Sequence, residues 1–348
     1  MRIIINGRGL DRAMNGIPRY ITEVISSLDK QSDIVENEVE VVIPEGTEIS
    51  LSLNNIKITE LKNCKAWDFR AAEAYAKKNN ALYVNLASKG VVYKNSIATI
   101  HDIRVLRESC GLSIREIKNY LKIKISYTLA VNNAKHLLTV SEFSKKEMME
   151  YFQLPSSKIS VIGNGWEHLE NLVSDESIFD EYPDIKKGQY YFAIGSIAPH
   201  KNFKWIIKNK KKHPDTSFVI MGKVDESLWK NNSTEFDGVT YVGYQSDARM
   251  AALMRNAKAL VFPSLYEGFG IPPLEALAYG IPAIVADIPV MREIFGDSVH
   301  YLDVNDTEID LDQVLQEKVL LPEMVLNEHS WKSAGEKWWT LIKKRNER

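Results

Sequence analysis

One stretch in the C-terminal third of the chain indicates both the fold and the candidate site. It follows the apolar run 259–263 and reads Leu265-Tyr266-Glu267-Gly268-Phe269-Gly270-Ile271-Pro272-Pro273-Leu274-Glu275. A short apolar run, a glycine-rich turn and a helix-forming segment follow one another in the strand–turn–helix units of a parallel α/β sheet. The free backbone N–H groups at such a helix N-terminus form a place where an anion binds. We therefore predict an α/β fold with an anion site at this turn.

The composition is that of an ordinary soluble globular protein. The chain has 348 residues, of which 45% are hydrophobic and 26% charged, and at roughly 100 to 200 residues per domain this length predicts two domains. A net charge of -2 gives no indication of nucleic-acid binding.

The cysteine content and the absence of long apolar stretches point to the cytoplasm. Cys64 and Cys110 are the only cysteines, which are too few for a disulfide scaffold and lack metal-ligand spacing. The N-terminal residues 1–7 resemble neither a signal peptide nor a membrane span, and no segment offers about 18 uninterrupted apolar residues. We predict a cytoplasmic protein that contacts a membrane only peripherally; the family resemblance described below makes this the cytoplasmic face of the inner membrane.

Apolar β-branched runs alternate with amphipathic stretches along the whole chain, as in doubly wound parallel sheets. The pattern predicts strands at 2–5, 38–43, 81–85, 96–101, 136–140, 159–162, 190–195, 217–221, 239–242, 259–262, 283–286 and 299–302, and helices at 19–28, 114–132 and 144–152.

The domain boundary is predicted in the polar, acidic stretch 174–187. The N-terminal domain is then 1–173 and the C-terminal domain 188–325. Residues 326–348 carry tryptophans at helical spacing, which predicts an amphipathic helix packed on the body. Ligands bind beyond the carboxyl ends of the strands in open α/β sheets, so we expect two such domains to face each other across a cleft that holds the site.

Glu267 and Glu275 are the first candidate site residues. Gly268 and Gly270 bring backbone amides close to a ligand, and a diphosphate can be held at such a turn without a metal. Glu267 can accept hydrogen bonds from sugar hydroxyls and Glu275 from a ribose. The competing interpretation is a pair of surface carboxylates that stabilise a helix start; the glycine loop around them favours the site.

Three further positions follow predicted strands. Gly16 opens a helix after the first strand, but its spacing from Gly7 and Gly9 is not that of a dinucleotide fingerprint, so it fits a structural turn as well as a phosphate-facing loop. Lys201 follows a strand of the second domain, where a cation could meet an anion. His101 ends an apolar strand and is either a substrate-orienting residue or a satisfied strand-end histidine.

Two charged segments have simpler interpretations. Basic residues interleave with apolar ones over 104–127, which fits contact with an anionic lipid or a lipid diphosphate, or a plain solvated face. Asp310 and Asp312 form a D-x-D pattern, which holds a metal in some sugar transferases. Their acidic, helix-like surroundings indicate a chance match.

The stretch 262–276 resembles the E-x7-E signature of glycosyltransferase family 4. The resemblance spans nearly the whole chain and keeps the order of its motifs, which are 16–20, His101-Asp102, 140–144, Asn164-Gly165, 195–202, 280–282 and Ser330-Trp331.

The resemblance implies a GT-B fold, in which two Rossmann-like domains bind the acceptor and the nucleotide sugar and the last helix crosses back to the first domain. It implies a retaining glycosyltransferase, such as a mannosyl-, rhamnosyl- or glucosyltransferase, that needs no metal and no cofactor besides its nucleotide-diphosphate sugar. The expected acceptor is a glycan or a lipid-diphosphate-linked oligosaccharide of bacterial surface polysaccharide synthesis.

The resemblance also assigns roles to single residues. Glu267 is expected to hold the donor sugar near its reacting carbon, His101 to lie near that sugar, and Glu275 to bind the ribose. The remaining donor-binding residues are expected to contact phosphate, sugar or base: Gly16, Lys201, Tyr244, Gly268, Phe269 and Gly270.

One position departs from the family pattern. Ser196 stands where many members carry an arginine on the diphosphate, so Lys201 and the helix N-terminus would carry more of the leaving-group charge, or His200 would help. The alternatives are another enzyme of the same architecture, such as an epimerase or a phosphorylase, and a nucleotide-sugar-binding scaffold without turnover.

Overall fold

The structure is a computed structural model that describes residues 1–10, 16–49, 51–107, 114–196, 198–222 and 238–346. The chain divides into two compact units. Unit 1 comprises Met1–Asn164 and His329–Arg348, and unit 2 comprises Gly165–Glu328. Cys110, noted in the sequence, lies outside the described residues.

Both units are built from parallel strands. The strands are β1 Arg2–Asn6, β2 Glu38–Pro44, β3 Lys57–Leu61, β4 Leu82–Asn85, β5 Ser96–Thr99, β6 His136–Thr139, β7 Ile159–Val161, β8 Tyr190–Ile194, β9 Ser217–Met221, β10 Val239–Tyr241, β11 Ala259–Phe262, β12 Ala283–Ala286 and β13 His300–Leu302.

Helices connect the strands. They are α1 Gly16–Asp29, α2 Ala74–Lys78 (continuing a π-helical segment Asp68–Glu73), α3 Arg104–Arg107, α4 Ile114–Asn133, α5 Glu142–Phe152, α6 Ile178–Glu181, α7 Phe203–Lys212, α8 Asp247–Arg255, α9 Ile271–Ala278, α10 Pro289–Phe295, α11 Leu311–Val314, α12 Glu323–Glu328 and α13 Trp331–Asn346. Single 3-10 turns occur at Ile34–Glu36, Ser156–Lys158, Glu167–Leu169 and Pro199–Lys201.

The sheet of unit 1 has the order β3-β2-β1-β4-β5-β6-β7. Ile3, Ile4 and Ile5 of β1 are fully buried, as is typical of parallel sheets, whose two faces are both covered. The strand order reverses beside β1, so β1 and β4 flank a topological switch point. A ligand is therefore expected beyond the carboxyl ends of β1 and β4.

The sheet of unit 2 repeats this plan with the order β10-β9-β8-β11-β12-β13. Its core contains Phe218 and Ile220 of β9, Val261 of β11 and Ile284 of β12. Its order reverses beside β8, so its switch point lies between β8 and β11.

The last helix, α13, packs on α1 within unit 1. The indole N–H of Trp338 donates a hydrogen bond to the Tyr20 hydroxyl at 3.0 Å, and Trp331 and Trp338 are buried. The tryptophans that predicted an amphipathic helix thus form its buried face.

Every predicted strand is present within two residues of its predicted ends, and the α/β fold class is confirmed. The sequence interpretation missed β3, Lys57–Leu61. This strand lies at the edge of its sheet and is only partly buried, so its composition lacks the apolar run that identified the others.

The predicted domain limits stay a prediction. In the structure, residues 165–173, which the sequence placed in the N-terminal domain, pack within unit 2. The indole N–H of Trp166, for example, donates to the Leu326 carbonyl at 3.0 Å.

Candidate functional site

The predicted residues of unit 2 gather at its switch point. Gly195, Ser196 and Lys201 follow β8, and the glycine turn with Glu267 follows β11. Because these strands are neighbours and parallel, their carboxyl ends lie at the same edge of the sheet. Segments about 70 residues apart in the chain thus share one place, where ligands bind in open α/β sheets.

The turn that carries Lys201 is fixed to the loop after β11. The carbonyl of His200 accepts a hydrogen bond from the backbone N–H of Leu265 at 2.7 Å. The side-chain amide of Asn202 donates to the Pro263 carbonyl at 3.2 Å, while the Asn202 backbone is left-handed at φ 54°. These two bonds hold Lys201 beside the glycine turn.

Lys201 and Glu267 form an ion pair. The Lys201 ammonium lies 2.6 Å from Oε1 of Glu267, and the two side chains are only 18% and 14% exposed. The same ammonium lies 5.1 Å from the centroid of the Phe262 ring. An ammonium has three N–H donors, so Lys201 can bind an anionic ligand while it keeps Glu267 as a partner.

The turn between these residues and α9 depends on glycine. Gly270 is the N-cap of α9 with φ 107° and ψ 61°, and a Cβ there would lie 2.8 Å from Cε of Met291. The buried Phe269 anchors the turn, and α9 begins at Ile271 with proline in its first turn. The helix N-terminus therefore opens beside the Lys201–Glu267 pair, where its dipole favours an anion.

Glu275 lies one turn into α9, and its partner is His168. Oε1 of Glu275 lies 2.9 Å from Nε2 of His168, and both side chains are almost completely buried. Sequence reasoning missed His168, because it follows β7 in a short 3-10 turn that carries no motif. The carboxylate is thus held in one orientation, as recognition of two ribose hydroxyls would require.

The loop that carries Tyr244 follows β10, at the edge of the same sheet. Tyr244 is exposed. Gly222 after β9 donates its backbone N–H to the Gly243 carbonyl at 2.9 Å. Gly222 has φ 153°, and a Cβ there would lie 1.7 Å from the Gly195 carbonyl oxygen. Only glycine allows the loops after β8, β9 and β10 to approach so closely.

Ser196 is exposed in the structure. It brings no charge to the switch point, whereas Lys201 is a described cation beside the glycine turn.

His101 of unit 1 lies just beyond β5 and is held by its neighbours. Its Nε2 lies 3.0 Å from the Leu86 carbonyl, which can only accept, so Nε2 carries the proton. Its ring meets Tyr20 edge to face with centroids 4.6 Å apart. Burial lowers the pKa of His101 to about 4, although the bond to Leu86 opposes this. His101 is therefore neutral at pH 7, and its Nδ1 can accept a hydrogen bond.

Gly16 begins α1, and beyond its chain neighbours and its own helix backbone no atom of the described residues would lie within 4 Å of a Cβ there. Neither steric crowding nor a left-handed backbone therefore requires glycine at this position. Tyr20, one turn further along α1, was not among the predicted site residues, although it ends the same motif 16–20.

A cavity of about 290 Å³ lies at the switch point of unit 1. Arg8 and Gly9 after β1, and Ser88 and Lys89 after β4, form one side, and Pro18 and Ile21 of α1 form another. Arg8 is oriented by Asp68, with Nη1 3.1 Å from Oδ2. Lys122 of α4 also lines the cavity. The cavity combines an apolar wall with three cations and one carboxylate.

The D-x-D pair does not form a metal site in the part of the chain that the structure describes. Asp310 caps α11 by accepting hydrogen bonds from the N–H groups of Asp312 and Gln313. Asp312 accepts from Lys258 at 2.7 Å and from the Tyr191 hydroxyl at 2.7 Å. Among the described residues, no three of His, Cys, Asp and Glu are grouped to hold a metal.

The two parallel sheets are those of the GT-B class. Sucrose-phosphate synthase from Thermosynechococcus elongatus has a similar structure, with a TM-score of 0.72 and 15% identity over 99% of both chains. HepE from Anabaena in complex with UDP and glucose matches at a TM-score of 0.68 and 12% identity, over 99% of this chain and 100% of that one. The predicted GT-B fold class is confirmed.

Residues 174–323 match the family described as glycosyl transferases group 1. The chain is also 33% identical over 219 residues to the O-antigen chain mannosyltransferase RfbU of Salmonella typhimurium, covering 61% of this chain and 58% of that protein. This match and this relative confirm the predicted resemblance to a glycosyltransferase family. The matched segments span about three fifths of the curated relatives' length.

Proposed function

We propose that the chain is a glycosyltransferase that moves a sugar from a nucleotide-diphosphate donor to a hydroxyl of a glycan or lipid-linked oligosaccharide, in the synthesis of a bacterial surface polysaccharide. The observation that carries this proposal is the Lys201–Glu267 pair, 2.6 Å apart beside the N-terminus of α9 at the switch point of unit 2. The pair offers both a cation for a diphosphate and a carboxylate for sugar hydroxyls.

The donor has three parts, and unit 2 offers a partner for each. Glu267 would accept hydrogen bonds from the sugar, and Glu275, oriented by His168, would accept them from the ribose. Lys201 and the N–H groups of the Gly268–Gly270 turn would hold the diphosphate. The Tyr244 loop would contact the base.

The reaction we propose retains the anomeric configuration and uses no metal. The acceptor oxygen forms a bond to the anomeric carbon while the bond from that carbon to the diphosphate oxygen breaks, and the acceptor proton passes to the departing oxygen. Lys201 stabilises the charge that develops on this leaving group, which is the electrostatic part of catalysis. His101, neutral at pH 7, would serve as a hydrogen-bond acceptor for a sugar hydroxyl.

The acceptor would bind unit 1, whose cavity has an apolar wall and three cations. Such a lining suits an acceptor that carries a lipid diphosphate, and a lipid acceptor would bring the protein to the inner membrane from the cytoplasmic side. A mannose donor is favoured by the name of the Salmonella relative.

The second candidate function is a nucleotide-sugar-binding scaffold without turnover. Ser196 favours it, because an exposed serine stands where the family pattern has a cation for the diphosphate.

A panel of nucleotide sugars separates the two functions. The purified protein is incubated with GDP-mannose, UDP-glucose, UDP-galactose or dTDP-rhamnose and with lipid-diphosphate-linked acceptors, and released nucleotide diphosphate and extended acceptor are measured. We expect one donor to give both products, with activity retained in EDTA and the donor's anomeric configuration in the product by NMR. Donor binding is detected separately, as stabilisation of the protein. A donor present at 100 times its dissociation constant adds roughly 2.7 kcal/mol to the free energy of unfolding.

The matched control is the Glu267→Gln variant. Its side chain keeps the size and polarity of the wild-type residue but lacks the negative charge. Stabilisation of the wild type by a donor without transfer or hydrolysis would favour the scaffold. If the protein neither binds any of the donors nor transfers a sugar to any of the acceptors, both functions are contradicted.

A further inference from the structure

A buried pair of ionisable side chains lies inside unit 2, one turn into α9. Nε2 of His168 is 2.9 Å from Oε1 of Glu275, and the two side chains are only 2% and 9% exposed. An ionised carboxylate can only accept hydrogen bonds, so Nε2 of His168 carries a proton and donates this bond. A carboxylate that is buried needs such donors, because leaving it unpaired away from water is costly.

The turn that carries His168 is anchored independently of Glu275. It is the 3-10 turn Glu167–Leu169, whose leucine is buried. Just before it, the indole N–H of Trp166 donates to the Leu326 carbonyl at 3.0 Å. Leu326 belongs to α12, which packs against α9. The imidazole therefore reaches Glu275 from a fixed turn, and this limits the orientations that the carboxylate can adopt.

The pair leaves part of the carboxylate open to a ligand. A carboxylate has two oxygens with about four lone-pair positions, and His168 occupies one of them on Oε1. Within the described residues, Oε2 of Glu275 has no hydrogen-bond partner. The two neighbouring hydroxyls of a ribose can both donate to one carboxylate. A ribose thus satisfies Glu275, whereas a 2′-deoxyribose leaves part of a buried carboxylate unpaired.

We infer that His168 is a positioning residue that makes the site select a ribonucleoside diphosphate sugar over its 2′-deoxyribonucleoside counterpart. His168 holds Oε1, so that the remaining lone pairs of Glu275 lie in a fixed place for the ribose hydroxyls. This inference rests on the proposed function, in which Glu275 binds the ribose. It names the class of sugar donor, which is linked to uridine, guanosine or adenosine diphosphate and not to deoxythymidine diphosphate.

The selectivity depends on the carboxylate being held. A hydrogen bond to a charged group contributes about 10- to 100-fold to binding. A ligand that lacks the hydroxyl loses this contribution, because the buried oxygen that should accept the bond stays unpaired. A carboxylate that is free to turn finds water instead and loses less. His168 therefore affects the ribose and 2′-deoxyribose forms of a nucleotide differently.

Calorimetric titration of the full chain with nucleoside diphosphates tests the inference without turnover. The probes are GDP, UDP and ADP, each with its 2′-deoxy form, and dTDP. We expect the wild type to bind its preferred ribonucleotide about 10 to 100 times more tightly than the 2′-deoxy form. In the transfer assay, the 2′-deoxy sugar donor should raise KM by a similar factor with kcat nearly unchanged, since the ribose does not react.

Two variants separate positioning from simple packing. His168→Leu keeps an apolar side chain in the buried place but removes the N–H. It should weaken ribonucleotide binding roughly tenfold and 2′-deoxynucleotide binding less than about threefold. His168→Gln retains a side-chain N–H and should restore most of the discrimination. A side chain that only fills space would affect both nucleotides equally.

A double variant tests whether His168 acts through Glu275. His168→Leu combined with Glu275→Gln should bind the ribonucleotide within about twofold of Glu275→Gln alone, because both substitutions affect one interaction. Independent, multiplying losses would show that His168 acts elsewhere and would contradict its positioning role. Thermal unfolding of each variant verifies the fold.

His300→Leu is the matched control, since His300 is a buried histidine of the edge strand β13 in the same unit. It should leave both affinities within about twofold of the wild type. Equal binding of the ribo and 2′-deoxy forms by the wild type, or a preference for dTDP, would overturn the inference and leave the proposed sugar transfer standing. So would an equal loss of both forms in His168→Leu. Binding of none of these nucleotides would contradict the proposed function itself, and the inference with it.

Discussion

The two sheets have the same topological feature with different chemistry at it. At the β8–β11 switch point, Lys201 and Glu267 meet at 2.6 Å beside a helix N-terminus. At the β1–β4 switch point, a cavity of about 290 Å³ combines apolar side chains with cations, and the nearby His101 is neutral at pH 7. The switch point of unit 2 is thus a compact charged site, whereas that of unit 1 is a cavity.

A doubly wound sheet thus determines where a ligand can bind, and the loop residues determine what binds there. Under the proposed function, the charged site of unit 2 suits a nucleotide diphosphate, whose position is fixed by charge. The cavity of unit 1 suits an acceptor with apolar and anionic parts. Four substitutions test this division, from the largest expected effect to the smallest.

Lys201→Ala should lower kcat on the order of 10² to 10³-fold while the KM for the donor changes only a few-fold, because the ammonium acts on charge that develops in the leaving group. Steady-state kinetics with the preferred donor measure both values. An equal loss in kcat and in donor affinity would contradict this role and assign Lys201 to ground-state binding. The double variant with Glu267→Gln should lose less than the product of the single losses, since the two residues form one pair.

Gly270→Ala should lower the free energy of unfolding by about 2 to 3 kcal/mol, because alanine is strained at φ 107° and its Cβ would meet Met291. Urea unfolding measures the change. Gly16→Ala is the matched control, since that position has open space. It should leave stability within about 0.5 kcal/mol but lower turnover if Gly16 approaches the diphosphate. A Gly270→Ala protein as stable as the wild type would show that the turn is not constrained.

His101 should contribute to acid sensitivity. Its pKa is about 4 in the folded protein and about 6.5 when unfolded, so the unfolded state binds more protons between these values. Stability should therefore fall as the pH decreases from 6.5 towards 4, by about 2 kcal/mol at pH 5 from this residue.

The measurement is urea unfolding at pH 7 and pH 5 for the wild type and His101→Gln, which should lose less stability on acidification. His136, whose pKa burial also lowers to about 4, provides a second histidine for comparison. The His136→Gln variant should show the same reduced pH dependence without loss of turnover. An unchanged pH dependence in His101→Gln would contradict the neutral, buried state of that ring.

Glu275→Gln should raise the donor KM about tenfold, which corresponds to about 1.4 kcal/mol, with kcat nearly unchanged, because the carboxylate would bind a ribose that does not react. Kinetics with the donor measure this, and Asp287→Asn is the control, since Asp287 pairs with Arg292 on the surface. A fall in kcat without a change in KM would place Glu275 near the reacting atoms and not at the ribose.

The fold class, nearly every strand and the position of the glycine turn could be predicted from the amino-acid sequence. These features depend on local patterns, since a strand buried on both faces must be an apolar run and a turn at φ 107° needs glycine. The edge strand Lys57–Leu61 was missed because an exposed edge leaves a weaker pattern.

Which side chains of the site contact each other is seen in the three-dimensional structure and not in the sequence. The tertiary structure brings Lys201 to Glu267 and His168 to Glu275 across 66 and 107 residues of chain. These contacts depend on the order in which parallel strands pair, which the sequence pattern does not contain. The sequence therefore shows which residue types the site contains. Their partners, their burial and the pKa of His101 depend on the packing of segments that are distant in sequence.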